Sequence, residues 1–169
     1  MLKVGVIGAG YLGKKHLKIL ESSPFFDLIG FYDKNENIRE NLSKNSNYVS
    51  FDQIDSLINA TDTVIIATPA LSHFELAKKV LNAKKHVFIE KPICSTVEQA
   101  YQLTNLEDEN KVFGQVGHIE RFNPAFEAIK SSIDSPQFIE AHRFAEFNPR
   151  GTDVSVVLDL MIHDIDIVL

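Results

Sequence analysis

The chain has 169 residues, of which 44% are hydrophobic, 24% charged and 9% aromatic, with 8 Gly and 6 Pro. That composition excludes disorder, collagen and coiled coil, and the length suits one full domain plus part of another. Lys and Arg number 17 against 23 Asp and Glu, a formal charge of -6, and no basic run is long enough to follow a phosphate backbone, so nucleic acid is not an expected partner.

The opening MLKVGVIGAGYLG meets glycine too early for a signal peptide. No stretch approaches the roughly 20 apolar residues of a membrane span, so no membrane association is expected. A single cysteine, Cys94, allows no intrachain disulfide and no cysteine cluster for zinc, which fits a reducing cytoplasm.

In chain order, Lys3 to Ile7 reads as a strand that breaks into glycines, and Tyr11 to Glu21 as a helix with Leu12, His16, Leu17, Ile19 and Leu20 at helical spacing. Phe26 to Tyr32 reads as a second strand, followed by a weakly helical polar stretch over Lys34 to Ser46. Tyr48 and Val49 suggest a short third strand, Ile54, Leu57 and Ile58 a short helix, and Thr63 to Ala67 a buried strand ending at Thr68-Pro69. Ser72 with Glu75 and Ser95 with Glu98 have the spacing of capping boxes that open two further helices. Strands at His86 to Ile89 and Lys111 to Val116 complete the series. Strands that alternate with helices and read as continuous apolar runs predict a doubly wound parallel α/β sheet, covered on both faces, over residues 1–120. Beyond it the pattern changes to a Pro-started helix over Asn123 to Ile129, an alternating strand over Gln137 to Phe147 and a helix over Asp153 to Leu169. Residues 121–169 therefore read as the start of a second, α+β domain.

Three motifs carry chemistry. Gly8-Ala9-Gly10-Tyr11-Leu12-Gly13 is a GxGxxG between strand and helix: Gly8 allows the tight turn, Gly10 lets the backbone approach a pyrophosphate, and Gly13 lets helix and strand pack closely. Asp33 ends the second strand 20 residues after Gly13, where a carboxylate accepts from adenosine ribose hydroxyls and repels a 2'-phosphate. NAD is thus favoured over NADP. Glu90-Lys91-Pro92 places a lysine at the carboxyl edge of the sheet, either to stabilise a developing alkoxide or as a solvated loop residue. Asp159 and His163, four apart on a helix, suit a carboxylate that orients an imidazole base, or equally a surface pair; adding Asp166 makes a metal site a third, weaker reading.

With VIGAGYLG at 6–13, Asp33, ATP at 67–69, His73, EKP at 90–92 and DLMIHDID at 159–166, the sequence resembles the Gfo/Idh/MocA family of NAD(P)-dependent sugar and polyol oxidoreductases along its whole length. The resemblance implies a Rossmann-type cofactor domain, with Gly8, Gly10, Tyr11, Leu12, Gly13, Asp33, Thr68, Pro69, His73, Glu90 and Lys91 at the cofactor and Glu90 by the nicotinamide ribose. It further implies that Lys91 and His163 act on a substrate hydroxyl, that Asp159 orients them, and that the peptide before Pro92 is cis. No metal is implied. GHIERFNPA at 117–125 and RGTDVSVVLDLMIHDID at 150–166 resemble the branch that oxidises the 3-hydroxyl of UDP-N-acetylhexosamines, which makes Arg121 a candidate for a substrate phosphate or carboxylate. His118 and Cys94 read as structural.

Family members continue for about as many residues again, in a sheet that walls the substrate site and mediates homo-oligomerisation. This chain is therefore expected to hold a complete cofactor domain and an incomplete substrate site, and to bind NAD with little turnover. A non-catalytic NAD-binding module is the alternative.

Overall fold

A computed structural model describes residues 1–144 and 154–169. Five strands, β1 (Leu2–Ile7), β2 (Phe26–Tyr32), β3 (Thr63–Ile66), β4 (His86–Glu90) and β5 (Gly114–Gly117), form one all-parallel sheet in the order β2-β1-β3-β4-β5. The chain leaves β1 toward β2 and returns to the other side at β3. That reversal opens a crevice at the carboxyl ends of β1 and β3, where open α/β sheets bind their ligands.

Helices cover both faces, as the continuous apolar strands require. On one face α1 (Tyr11–Glu21) and α2 (Glu36–Asn45) pack Leu17, Leu20 and Ile38 onto Val4, Val6 and Phe31. On the other, α3 (Ile54–Ala60), α4 (His73–Asn82) and α5 (Val97–Asn110) pack on Val64, Ile66, Val87 and Ile89. The doubly wound Rossmann-type arrangement expected from the sequence is the one found. No helix among the described residues is long and apolar enough to cross a membrane.

Several local expectations need correction. Tyr48 and Val49 form no strand; the segment meets β2 only through a bridge, in which the Phe31 amide donates to the Val49 carbonyl at 2.9 Å and the Phe51 amide to the Phe31 carbonyl at 2.8 Å. Ser72 lies in a 3-10 turn (Ala70–Ser72) and donates its hydroxyl to Thr68 Oγ1 and the Pro69 carbonyl, so it makes no capping box with Glu75. The second helix is capped one residue later than expected: Thr96 Oγ1 accepts from the Gln99 amide, while Gln99 Oε1 reaches past the cap to accept from the Ser95 amide.

After β5 comes a 3-10 turn (Ile119–Phe122) and α6 (Pro124–Lys130), whose N-cap Asn123 accepts from the Ala125 amide. Residues 137–144 carry no strand, and Ala145 to Phe147, the rest of the predicted strand, lie outside the described residues. The last segment is helical as expected, but as a π turn (Val157–Met161) running into α7 (Ile162–Val168); Asp153 lies outside the described residues.

The shifted cap is directly testable. Thr96→Ala should lower unfolding free energy by about 1 kcal/mol, whereas Glu98→Ala should change it by less than about 0.5 kcal/mol; urea denaturation of both variants checks the difference.

Candidate active site

The glycine loop sits where β1 meets the crevice. Gly8 has φ +90°, and a Cβ there would lie 2.7 Å from the Ala67 carbonyl oxygen at the end of β3. A Cβ on Gly13 would collide with the Gly8 carbonyl oxygen. Gly10, the N-cap of α1, is different: its Cβ would meet nothing within 4 Å. Two glycines are thus demanded by packing, and the third faces an open groove of about 540 Å³ whose lining includes Ala9, Tyr11, Lys14 and Ile38. Tyr11 and Leu12 are exposed on the first helical turn. Gly10 at the N-terminus of α1 and the lysines Lys14, Lys15 and Lys18 along its side also line this groove, a setting that suits an anionic phosphate.

Asp33 is buried, with Oδ2 accepting from the Ala9 amide at 2.8 Å and Oδ1 from the Asn35 amide at 2.9 Å. It ties the glycine loop to the end of β2, a bracing role that the strand-end position alone did not reveal. Each carboxylate oxygen still has a lone pair for a further donor. Arg39 donates to the Asp33 carbonyl at 2.7 Å and steadies the same corner.

Thr68 and Pro69 follow β3, and His73 opens α4 behind them. Its ring is 1% exposed, with Nδ1 2.7 Å from the Pro92 carbonyl and Nε2 2.9 Å from the Thr68 carbonyl. His73 therefore braces the loops after β3 and β4 against each other from within the core. The Lys91-Pro92 peptide is cis.

The third cluster joins distant parts of the chain. Lys91 Nζ donates to Asp159 Oδ1 at 2.9 Å and to the Asp159 carbonyl at 2.6 Å, across 68 positions of sequence. Asp159 offers Oδ1 to Lys91; among the described residues no hydrogen bond joins it to His163, and the π turn that contains Asp159 replaces the plain helical spacing expected from sequence. His163 Nδ1 is buried with no hydrogen-bond partner among the described residues. Burial first, then the nearby charges of Lys91 and Arg143, hold its imidazole below the ordinary histidine value.

Arg121 forms a two-point ion pair with Asp166, Nε to Oδ2 at 2.8 Å and Nη2 to Oδ1 at 2.7 Å, and Arg143 does the same with Asp164. These hydrogen bonds pull both carboxyls below the usual carboxylate range. His118 Nδ1 lies 3.7 Å from Asp166 Oδ1, which brings a residue read as structural beside His163. Cys94, also read as structural, is buried, and burial pushes its thiol up.

Residues 2–118 match the model of the Gfo/Idh/MocA oxidoreductase family, NAD-binding Rossmann fold. The chain belongs to this family.

Among Gfo/Idh/MocA proteins it is similar to UDP-N-acetylglucosamine 3-dehydrogenase of Acidithiobacillus ferrooxidans, 34% identical over 99% of this chain and 53% of that protein. The solved structure of that enzyme superposes with a TM-score of 0.89 over 98% of this chain and 54% of the other. Glucose-6-phosphate 3-dehydrogenase of Bacillus subtilis is 32% identical over 79% of this chain and 38% of the relative. GenD2 from gentamicin A biosynthesis, solved in complex with NAD, is 27% identical with a TM-score of 0.73 over 78% of this chain and 38% of that one. The chain spans about half the length, or less, of these relatives.

The residues present fit NAD: the open space at Gly10 is a cradle that any Cβ would fill, at the end of a helix that attracts phosphate. Sequence reasoning passed over His16, counted in an apolar stripe, yet its Nε2 lies 2.6 Å from Glu90 Oε1. The signal was a polar ring amid Leu12, Leu17 and Leu20. It also passed over Arg143, for which the sequence carries no signal at all.

Two outcomes follow from this geometry. Gly10→Val should keep the wild-type thermal midpoint and circular dichroism but lose NAD binding by calorimetry, whereas Gly13→Ala should destabilise the fold itself. Because His163 binds its proton less readily folded than unfolded, its share of stability is complete above pH ~6.5 and is lost as pH falls through the folded value. Thermal midpoints should therefore decline below pH ~6.5, above the acidic range in which Asp164 and Asp166 titrate, and His163→Gln should flatten that part of the curve.

Proposed function

We propose that this chain is the cofactor-binding part of an NAD-dependent dehydrogenase that oxidises a ring hydroxyl of a sugar, with a UDP-N-acetylhexosamine as substrate and its 3-hydroxyl as the reacting group. The observation that carries this reading is the Lys91 to Asp159 contact, which sets the strand-end lysine and the helix of His163 against each other at the edge of the crevice. The 3-hydroxyl is favoured because two relatives of different substrates, a nucleotide sugar and a sugar phosphate, are both named as 3-dehydrogenases. In this reading residues 1–120 hold the cofactor and residues 121–169 begin the substrate domain.

When bound, NAD supplies the hydride acceptor. Gly8 to Gly13 would hold the pyrophosphate, Asp33 the adenosine ribose and Glu90 the nicotinamide ribose, with Thr68 and Pro69 lining the ring's side of the crevice and His73 fixing those loops. A 2'-phosphate would meet the buried Asp33 carboxylate, which favours NAD over NADP. Asp159 orients the Lys91 ammonium, and Lys91 stabilises the oxygen as it loses its proton. His163, kept neutral by burial and by Lys91, receives that proton on a ring nitrogen. Arg121 uses Nε and Nη2 on Asp166, leaving Nη1 for a substrate phosphate.

The test is turnover of UDP-N-acetylglucosamine with NAD by the whole protein, followed through NADH absorbance. Lys91→Ala and His163→Ala should each lower kcat about 10²- to 10⁴-fold with NAD affinity largely intact, and Asp159→Asn should do less. NAD binding with no turnover of any sugar would instead identify a non-catalytic cofactor module. Asp33→Ala should weaken NAD more than NADP.

A further inference from the structure

The Glu90 carboxylate is held more closely than its place at a strand end requires. His16, on the second turn of α1, brings Nε2 to 2.6 Å from Glu90 Oε1, and both side chains are largely shielded, 20% and 16% exposed. The imidazole meets the Phe88 ring edge-on, with centroids 5.6 Å apart at 65°. Gly117, paired with Glu90 across β4 and β5, keeps the space on the other side: a Cβ there would stand 3.1 Å from Glu90 Oε2 and 2.9 Å from the Phe88 ring. The neighbouring cation, Lys91, is committed to Asp159. A carboxylate at the end of three rotatable bonds is thus pinned through one oxygen, leaving Oε2 with its lone pairs unspent on any described donor.

We propose that His16 is a positioning residue for the cofactor: by donating from Nε2 to Glu90 Oε1 it fixes the other carboxylate oxygen to accept from a hydroxyl of the nicotinamide ribose. This rests on the reading of Glu90 as the residue beside that ribose. His16 lies one turn beyond Gly13, so the helix whose first turn faces the pyrophosphate also sets the acceptor for the next sugar along the dinucleotide. A hydrogen bond to a charged group contributes more than a neutral one, and removing its donor leaves the carboxylate free to rotate away from the ribose.

The experiment compares two probes on the same protein by calorimetry: NAD, which reaches Glu90, and ADP, which occupies only the adenosine half. His16→Ala and His16→Leu, the second of which still covers Phe88, should weaken NAD about tenfold or more while ADP affinity stays within about twofold of wild type. His16→Gln, which retains a side-chain N–H donor, should restore most of the NAD affinity. Glu90→Gln should weaken NAD as well, and adding His16→Ala to it should cost little more, because the two act as one unit. Equal losses for NAD and ADP would make His16 a packing residue and overturn the proposal, as would unchanged NAD binding in both His16 variants. Wild-type protein that binds ADP but not NAD would overturn the placement of Glu90 itself, and wild-type protein that binds neither would overturn the cofactor reading.

Discussion

Everything at the carboxyl edge of the sheet depends on how closely the first loop approaches its neighbours. The Gly8 backbone lies against the Ala67 carbonyl, and the Gly13 backbone lies against Gly8. Those two approaches bring the first turn of α1 down onto the ends of β1 and β3, and the Ala9 amide then reaches the Asp33 carboxylate to join β2 to the same corner. The three strands β2, β1 and β3 are thereby held in one frame around the groove. The helix end, the groove and the reach of His16 to Glu90 follow from that frame.

Charge organises the far side of the crevice. Asp159, Asp164 and Asp166 on the last helical segment each meet a cation from elsewhere: Lys91 after β4, Arg143 and Arg121. Arg121 is 61% exposed, so its pair adds little stability and serves orientation more than cohesion. Burial of His163, together with the positive charges of Lys91 and Arg143 beside it, disfavours its protonation, and a neutral imidazole is the form that can take a proton.

Much of this was legible in the residues. The alternation of apolar runs and helical stripes identified the parallel sheet, and the glycine spacing identified the loop, because both signals are local and repeat over many residues. Partnerships across the fold were less legible. Asp159 looked like a partner for His163 because four positions along a helix is a short distance, but a lysine 68 positions away won the carboxylate. Capping shifted from Ser95 to Thr96 because a serine and a threonine stand side by side and only the backbone angle chooses between them. Tyr48 and Val49 have strand-forming side chains, yet a single bridge exhausts their pairing. Ser72 had the right spacing to cap α4, but its hydroxyl found the Pro69 carbonyl nearer.

The bridge beside β2 has a consequence for the sheet as a surface. A parallel sheet has two rims, and an uncovered rim is a template on which another chain can add a strand. The inner pairing of β2 with β1 is irregular where Val4 faces Leu28 and Gly5 faces Gly30, and on the outer side of β2 Phe31 is already bonded to Val49 and Phe51. At β5 the guard is chemical instead: the Gly114 amide donates to the Glu107 carboxylate at 2.8 Å, a charge placed where an incoming strand would have to desolvate it. One rim is thus closed by backbone and the other guarded by an ion, so strand-by-strand self-association would have to break existing bonds at either end of the sheet.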